Sequence, residues 1–172
     1  IIKNGIKLGI KIFVIPLVDR SSVKNLNQLN DIIEFFSSKN FIKILTKKVK
    51  VVFETDFKPI ENHKFIKKLD KQYFGINYDT GNSASLGFDF NKEKIFFSRV
   101  YNIHIKDRCY RGSSVRLGNG DFNFNIFFQY LKKINYKGNL IMQTARSSRK
   151  RHIEEILINK KFIKKFLWKK IL

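Results

Sequence analysis

The chain has 172 residues, 43% of them hydrophobic and 15% aromatic, with 18 phenylalanines, two prolines and nine glycines. That length fits one domain, and that composition supplies a core and excludes a collagen-like or disordered chain. A net charge of +21 raises nucleic acid as a partner. The basic residues are spread along the whole chain among Ile, Asn and Phe, as AT-rich coding gives, so they read as solvated faces and no specific nucleic-acid binding is expected.

No run of about 18 apolar residues occurs, so no membrane span is expected, and no secretory pattern opens the chain. The single cysteine, Cys109, rules out an internal disulfide and fits a reducing, cytoplasmic compartment. Ile1–Gly9 reads like the tail of a helix running into a strand. With a first residue other than Met, this gives the expectation of a C-terminal piece of a longer protein.

Taken in order, Lys11 to Val18 is a buried-type strand. Asp19-Arg20-Ser21-Ser22 is a turn with a serine available as N-cap, and Leu26, Leu29, Ile33 and Phe36 recur at helical spacing. Lys50 to Glu54 is the next strand. Pro59 suits the first turn of a helix whose apolar stripe is Phe65, Ile66 and Leu69. Phe74 to Asp79 is a third strand, closed by Thr80-Gly81-Asn82-Ser83. A short helix covers Asn91 to Ser98, and Val100 to Ile105 is a fourth strand. Arg108 to Asp121 is a long loop rich in glycine and serine. Phe124, Phe127, Phe128 and Leu131 mark a helix, and Asn139 to Gln143 is a fifth strand. Arg149 to Lys170 is a basic amphipathic helix with Ile153, Ile156, Leu157, Ile163, Phe166 and Leu167 on one face.

Five strands alternating with helices read as successive βα units on a parallel sheet. Five units are too few to close an eight-stranded barrel but equal the last five eighths of one. A piece lacking three units has an open sheet edge, so on its own it is expected to fold poorly or self-associate.

Chemistry in such folds gathers at the carboxyl ends of the strands. Glu54, Asp79, His104 and Gln143 each end or nearly end an apolar run. Two carboxylates, an imidazole and an amide converging on one rim suit a divalent ion of the Mn, Mg or Zn type. Taken singly, each has a plainer use: a carboxylate there caps the next helix or pairs with a lysine, and a lone strand histidine is often a hydrogen-bonded core residue. Lys106, Arg108, Arg111, Ser113, Ser114 and Arg116, then Arg146, Ser147 and Ser148, lie in the loops after the last two strands, where barrels often bind phosphate. Arg146 is the strongest single candidate. His63 and His152 fall in helical stretches and are expected to face solvent, and Cys109 has no partner.

Tyr78-Asp79-Thr80-Gly81-Asn82, His104-Ile105-Lys106-Asp107-Arg108, Leu117-Gly118-Asn119-Gly120-Asp121 and Tyr136-Lys137-Gly138 resemble the sugar phosphate isomerase/epimerase family of xylose isomerase-like TIM barrels, over strands four to eight. The resemblance implies an α/β fold, with residues 1–172 forming one partial (β/α)8 domain. It implies a divalent metal (Mn, Co, Mg or Zn) held by Glu54, Asp79, His104 and the residue at the position of Gln143. In the family that fourth ligand is normally a glutamate, and the first and last glutamates form the acid/base pair, here Glu54 and Gln143.

Glutamine can offer its amide oxygen to a metal but cannot take up a proton at neutral pH. The implied reaction removes a proton beside a carbonyl to give an enediolate, in a sugar or sugar phosphate. With Glu54 present and Gln143 in the second place, one-base isomerisation is easier to support than two-base epimerisation. Asn82, Lys106, Asp107, Arg108 and Arg146 are the substrate-binding candidates. Two other readings stand beside this one: a non-catalytic or degenerate barrel, and an apurinic-site endonuclease of the same superfamily. The second needs a histidine-rich multi-zinc site, and this chain has three histidines. A homodimer is the base-rate oligomer.

Overall fold

The computed structural model describes residues 1–46, 48–147 and 150–167. Seven strands and eight α-helices are found among them: α1 (Ile2–Lys7), β1 (Ile12–Leu17), α2 (Leu26–Ser37), α3 (Lys39–Ile42), β2 (Lys50–Thr55), α4 (Pro59–Lys67), β3 (Phe74–Asp79), α5 (Thr80–Leu86), α6 (Phe90–Glu93), β4 (Val100–Ile105), β5 (Asp107–Arg108), β6 (Ser114–Val115), α7 (Phe124–Lys133), β7 (Asn139–Met142) and α8 (His152–Lys164). Short 3-10 turns cover Asp19–Ser21 and Lys94–Arg99.

The main sheet is parallel, with strand order β1-β2-β3-β4-β7. Its strands follow chain order, so the carboxyl ends of β2, β3 and β4 share one edge, as βαβ crossovers require. β5 and β6 form a separate two-stranded antiparallel ladder that starts one residue before the segment expected to be one long loop and ends inside it.

Internal contacts divide the described residues into two units. One holds Ile1–Tyr78 with Asn91–Asn102; the other holds Asp79–Phe90 with the residues from Ile103 onward. The first is built around β2, whose Val51, Val52 and Phe53 are inaccessible to solvent. A continuous β-branched and aromatic run suits a strand buried on both faces. Phe36 of α2, Phe41 of α3 and Phe65 of α4 converge there, with Phe36 edge-on to Phe53 at 4.9 Å and Phe65 edge-on to it at 5.2 Å. Offset and edge-on aromatic pairs add to the plain gain from area burial. Arg99 is buried in the same unit, where its Nη2 donates to the carbonyls of Leu69 and Phe74, each at 2.9 Å.

The second unit centres on α7. Phe128 stacks on Phe166 at 5.0 Å, and Phe124 meets Phe162 edge-on at 5.3 Å.

Several expectations are corrected. The N-cap of α2 is Asn25, whose side chain accepts the Gln28 N–H, and not a serine of the preceding turn. The segment Thr80-Gly81-Asn82-Ser83 is the first turn of α5, not a closing loop. The helix expected over Asn91 to Ser98 is a short α-turn, α6, followed by a 3-10 turn. α8 is shorter than expected, and Arg149 and residues 168–170 of the expected helix lie outside the described residues. Its apolar stripe is also not a single buried face: Ile163 is buried, whereas Ile153 and Leu157 are 76% and 58% exposed. The side of α8 that packs carries Asn159, Phe162, Ile163 and, just beyond it, Phe166. Asn159 accepts the Leu117 N–H at 2.9 Å. His63 is half-buried, with its Nδ1 out of reach of solvent, and so faces water only in part; His152 is exposed, as expected. Among the described residues no helix is long and apolar enough to cross a membrane.

Candidate metal centre

Glu54 is the fifth residue of β2, Asp79 the last of β3 and His104 the fifth of β4. Strand periodicity of two puts Asn77 on the same face as Asp79, and Asn102 on the same face as His104.

In the first unit, Glu54 is held by a row of amides. Asn77 Nδ2 donates to Glu54 Oε2 at 2.8 Å, and Asn102 Nδ2 donates to Asn77 Oδ1 at 2.5 Å. Both asparagines are buried. The sequence reading passed over them. The available signal was a polar residue two places before Asp79 and two places before His104 in otherwise apolar strands.

In the second unit, Asp79 does two things. Its Oδ1 accepts the Asn82 N–H at 2.9 Å, which caps α5, and its Oδ2 lies 3.9 Å from His104 Nδ1. Thr80, also missed, ties the next residues together. Its hydroxyl accepts the Lys106 N–H at 2.9 Å and donates to the Lys106 carbonyl at 2.5 Å. A Cβ on Gly81 would stand 2.7 Å from Lys106 Cγ, so the lysine stem lies across the start of α5. Gln143 directly follows β7, and its N–H donates to the Ile105 carbonyl at 2.9 Å, which registers it beside the end of β4. Its side chain is exposed, as is that of Arg146.

Two of the substrate-binding candidates turn out to be committed to loop structure. Asp107 is inaccessible to solvent. Its carboxylate accepts the N–H groups of Gly118 (2.8 Å), Gly120 (3.0 Å) and Phe122 (3.3 Å). Burial nonetheless outweighs these bonds and holds its carboxyl above the usual aspartate range. It organises the Gly118–Phe122 loop. Arg108 donates through Nε and Nη2 to the Gly112 carbonyl at 3.0 and 2.9 Å, and through Nη1 to Asn82 Oδ1 at 3.4 Å. Of the phosphate candidates, Arg116 is paired with Glu155 at the surface and Ser148 lies outside the described residues. Lys106 and Arg146 remain as cations near the ends of β4 and β7.

A parallel α/β sheet with polar side chains gathered at the carboxyl ends of consecutive strands defines the class of barrel and doubly wound enzymes and binding proteins. The particular family follows from comparison. The profile of the xylose isomerase-like TIM barrel matches residues 3–165, and the chain belongs to that family. Among curated proteins none matches.

Similar solved structures include a xylose isomerase domain protein from Planctomyces limnophilus, at 17% identity and a TM-score of 0.74, covering 96% of this chain and 64% of that one. A D-tagatose 3-epimerase-like protein is 19% identical, with a TM-score of 0.72 and coverage of 96% and 65%. The IolI protein with a binding zinc atom is 16% identical, with a TM-score of 0.76 and coverage of 96% and 67%. At these identities the likeness establishes the fold. The chain spans just under two thirds of the first two structures.

Proposed function

We propose that the chain is the metal-binding part of a divalent-metal-dependent isomerase or epimerase acting on a sugar or sugar phosphate, with Glu54, Asp79 and His104 as metal ligands and Gln143 as the fourth. The observation that carries this reading is that three candidate ligands, two carboxylates and an imidazole, stand at or next to the carboxyl ends of consecutive strands of one parallel sheet. Within the second unit, Asp79 Oδ2 and His104 Nδ1 stand 3.9 Å apart. Two carboxylates and an imidazole fit Mn, Co or Zn by donor chemistry. The similarity to a D-tagatose 3-epimerase-like protein and to the zinc-binding IolI protein supports the same reading.

A bound divalent ion supplies Lewis-acid polarisation of a substrate carbonyl. The chain's own groups do the rest. Glu54, fixed by Asn77, takes the proton from the carbon beside that carbonyl. Lys106 and Arg146 offer cationic contacts to hydroxyl or phosphate oxygens. Gln143 can orient a substrate oxygen but cannot exchange a proton, so delivery of that proton by Glu54 to the adjacent carbon on the same face, with the neighbouring hydroxyl proton passing to the former carbonyl oxygen, an isomerisation, is favoured over delivery to the original carbon from the opposite face.

Gln143 also favours a second reading, a barrel that binds a sugar and a metal without turnover. Two measurements separate the readings. Calorimetric titration of Mn2+ into wild type, Glu54→Ala and His104→Ala tests the site: binding in wild type that both substitutions abolish is expected. Incubation of ketoses and ketose phosphates in D2O, followed by NMR, then tests catalysis. Deuterium appearing next to the carbonyl supports an enzyme. Metal binding with no exchange on any substrate leaves the binding-only barrel, and no metal binding sinks both readings.

A further inference from the structure

The amide row behind Glu54 has a single polarity. Asn102 donates to Asn77, and Asn77 donates to the Glu54 carboxylate. The two asparagines are 4% and 2% exposed, among neighbours such as Ile76 and Ile103 that are equally buried. A buried amide costs free energy unless its hydrogen bonds are made. Valine or isoleucine at 77 and 102 would pack adjacent strands with no such requirement. The chain instead carries amides at the two positions that connect β4 through β3 to Glu54.

We infer that Asn77 and Asn102 are positioning residues for Glu54. Asn77 holds the carboxylate in one orientation, and Asn102 holds Asn77 so that its Nδ2, not its Oδ1, faces the glutamate. A glutamate side chain has three free torsions, and fixing them in advance removes an ordering cost that cation binding would otherwise meet. Outer partners of metal ligands characteristically set affinity by about 10–100-fold. This inference rests on the proposed metal site and assigns its support to residues of β3 and β4.

The test uses the full chain with Mn2+ alone as probe, in wild type, Asn77→Leu, Asn102→Leu and Glu54→Ala. Leucine keeps the branching at Cγ and the number of heavy atoms, and removes the donor. Affinity is read by calorimetry, the coordination environment by electron paramagnetic resonance of bound Mn2+, and the fold by the thermal midpoint of the metal-free protein. The expected result is a loss of about 10–100-fold in Mn2+ affinity for Asn77→Leu and a smaller loss for Asn102→Leu. Altered zero-field splitting of the bound ion is expected in both, since a turned carboxylate changes the ligand field and a merely structural role does not.

Unchanged affinity and spectrum in both leucine variants, with binding still abolished in Glu54→Ala, overturns the inference and leaves the metal site standing. No Mn2+ binding by wild type overturns both. If Asn77→Leu does not fold, Asn102→Leu decides alone, and wild-type affinity in it overturns the inference.

Discussion

Asp79 Oδ2 stands 3.9 Å from His104 Nδ1 while Asp79 Oδ1 accepts the N–H of Asn82 at 2.9 Å. One carboxylate thus meets both the first turn of α5 and the imidazole of His104. It caps α5, and it faces the imidazole with which it would share a cation. The two roles are separable by substitution, because a cap needs only a short side chain with an acceptor oxygen.

Asp79→Asn is therefore expected to keep the α5 cap and remain within about 0.5 kcal/mol of wild type, whereas Asp79→Ala loses about 1 kcal/mol. Asp79→Ala is expected to lose Mn2+ binding, and Asp79→Asn, which keeps a neutral oxygen donor, to bind Mn2+ about tenfold or more weaker. Urea unfolding with parallel calorimetry checks this. An Asp79→Asn variant that binds Mn2+ like wild type would remove Asp79 from the ligand set.

The Asp107 loop is predicted to depend on its carboxylate. Asp107→Ala strands three backbone N–H groups and is expected to cost about 1–3 kcal/mol in denaturant unfolding. Gly120→Ala attacks the same knot from the other side, since its Cβ would stand 2.3 Å from Asp107 Oδ1 and 2.6 Å from the Arg108 carbonyl. If either variant unfolds at the wild-type midpoint, the loop is not held in this way.

The raised Asp107 carboxyl also makes a pH prediction. The folded chain holds this proton more tightly than the unfolded chain does. Stability from this group is therefore fully present below the ordinary aspartate range and is lost as pH rises through the higher folded value. Unfolding free energy measured from acid to neutral pH should carry a downward contribution in wild type that is missing from Asp107→Asn. Parallel profiles for the two proteins would contradict it.

How much of this was legible in the sequence differs by element. β2, β3 and β4 were readable because apolar runs such as Val51-Val52-Phe53 end abruptly at a polar residue, and β3 and β4 appear with the expected bounds. α5 was not, because Thr80, Gly81, Asn82 and Ser83 are poor helix formers. It stands because Asp79 caps it and Thr80 ties it to the backbone of Lys106, far along the chain. Distance along the chain also hid the roles of Asp107 and Asn159, whose partners lie in other segments. The candidate ligands were visible because each sits at a strand end. Their support, Asn77 and Asn102, was hidden in strand interiors.

Gly75 was also opaque in the sequence, and its substitution tests how closely β3 and β4 approach. An added Cβ would stand 2.1 Å from the Tyr101 ring and 2.6 Å from the Arg99 carbonyl. Gly75→Ala is expected to destabilise by about 1–3 kcal/mol, as overpacking does. Tyr101→Ala in the same chain should relieve only part of the loss, because the carbonyl contact persists. Full recovery in the double variant would mean that the ring alone sets the limit.

Gln143 is the place where this chain parts from the pattern it resembles, so restoring a glutamate there is the sharpest test of the proposed chemistry. Its backbone is already registered next to Ile105, one residue past His104, so Gln143→Glu changes the donor and not the scaffold. If residue 143 is a ligand, an anionic oxygen in place of a neutral one should tighten Mn2+ binding by about tenfold or more, since affinity at such sites follows ligand charge count. The variant also gains a group able to exchange a proton from a second position. Deuterium exchange in D2O that yields only isomerised product in wild type, but also an epimer in Gln143→Glu, would support a one-base reaction limited by the amide. Equal Mn2+ affinity in the two proteins would take residue 143 out of the site and leave Glu54, Asp79 and His104 as a three-ligand centre.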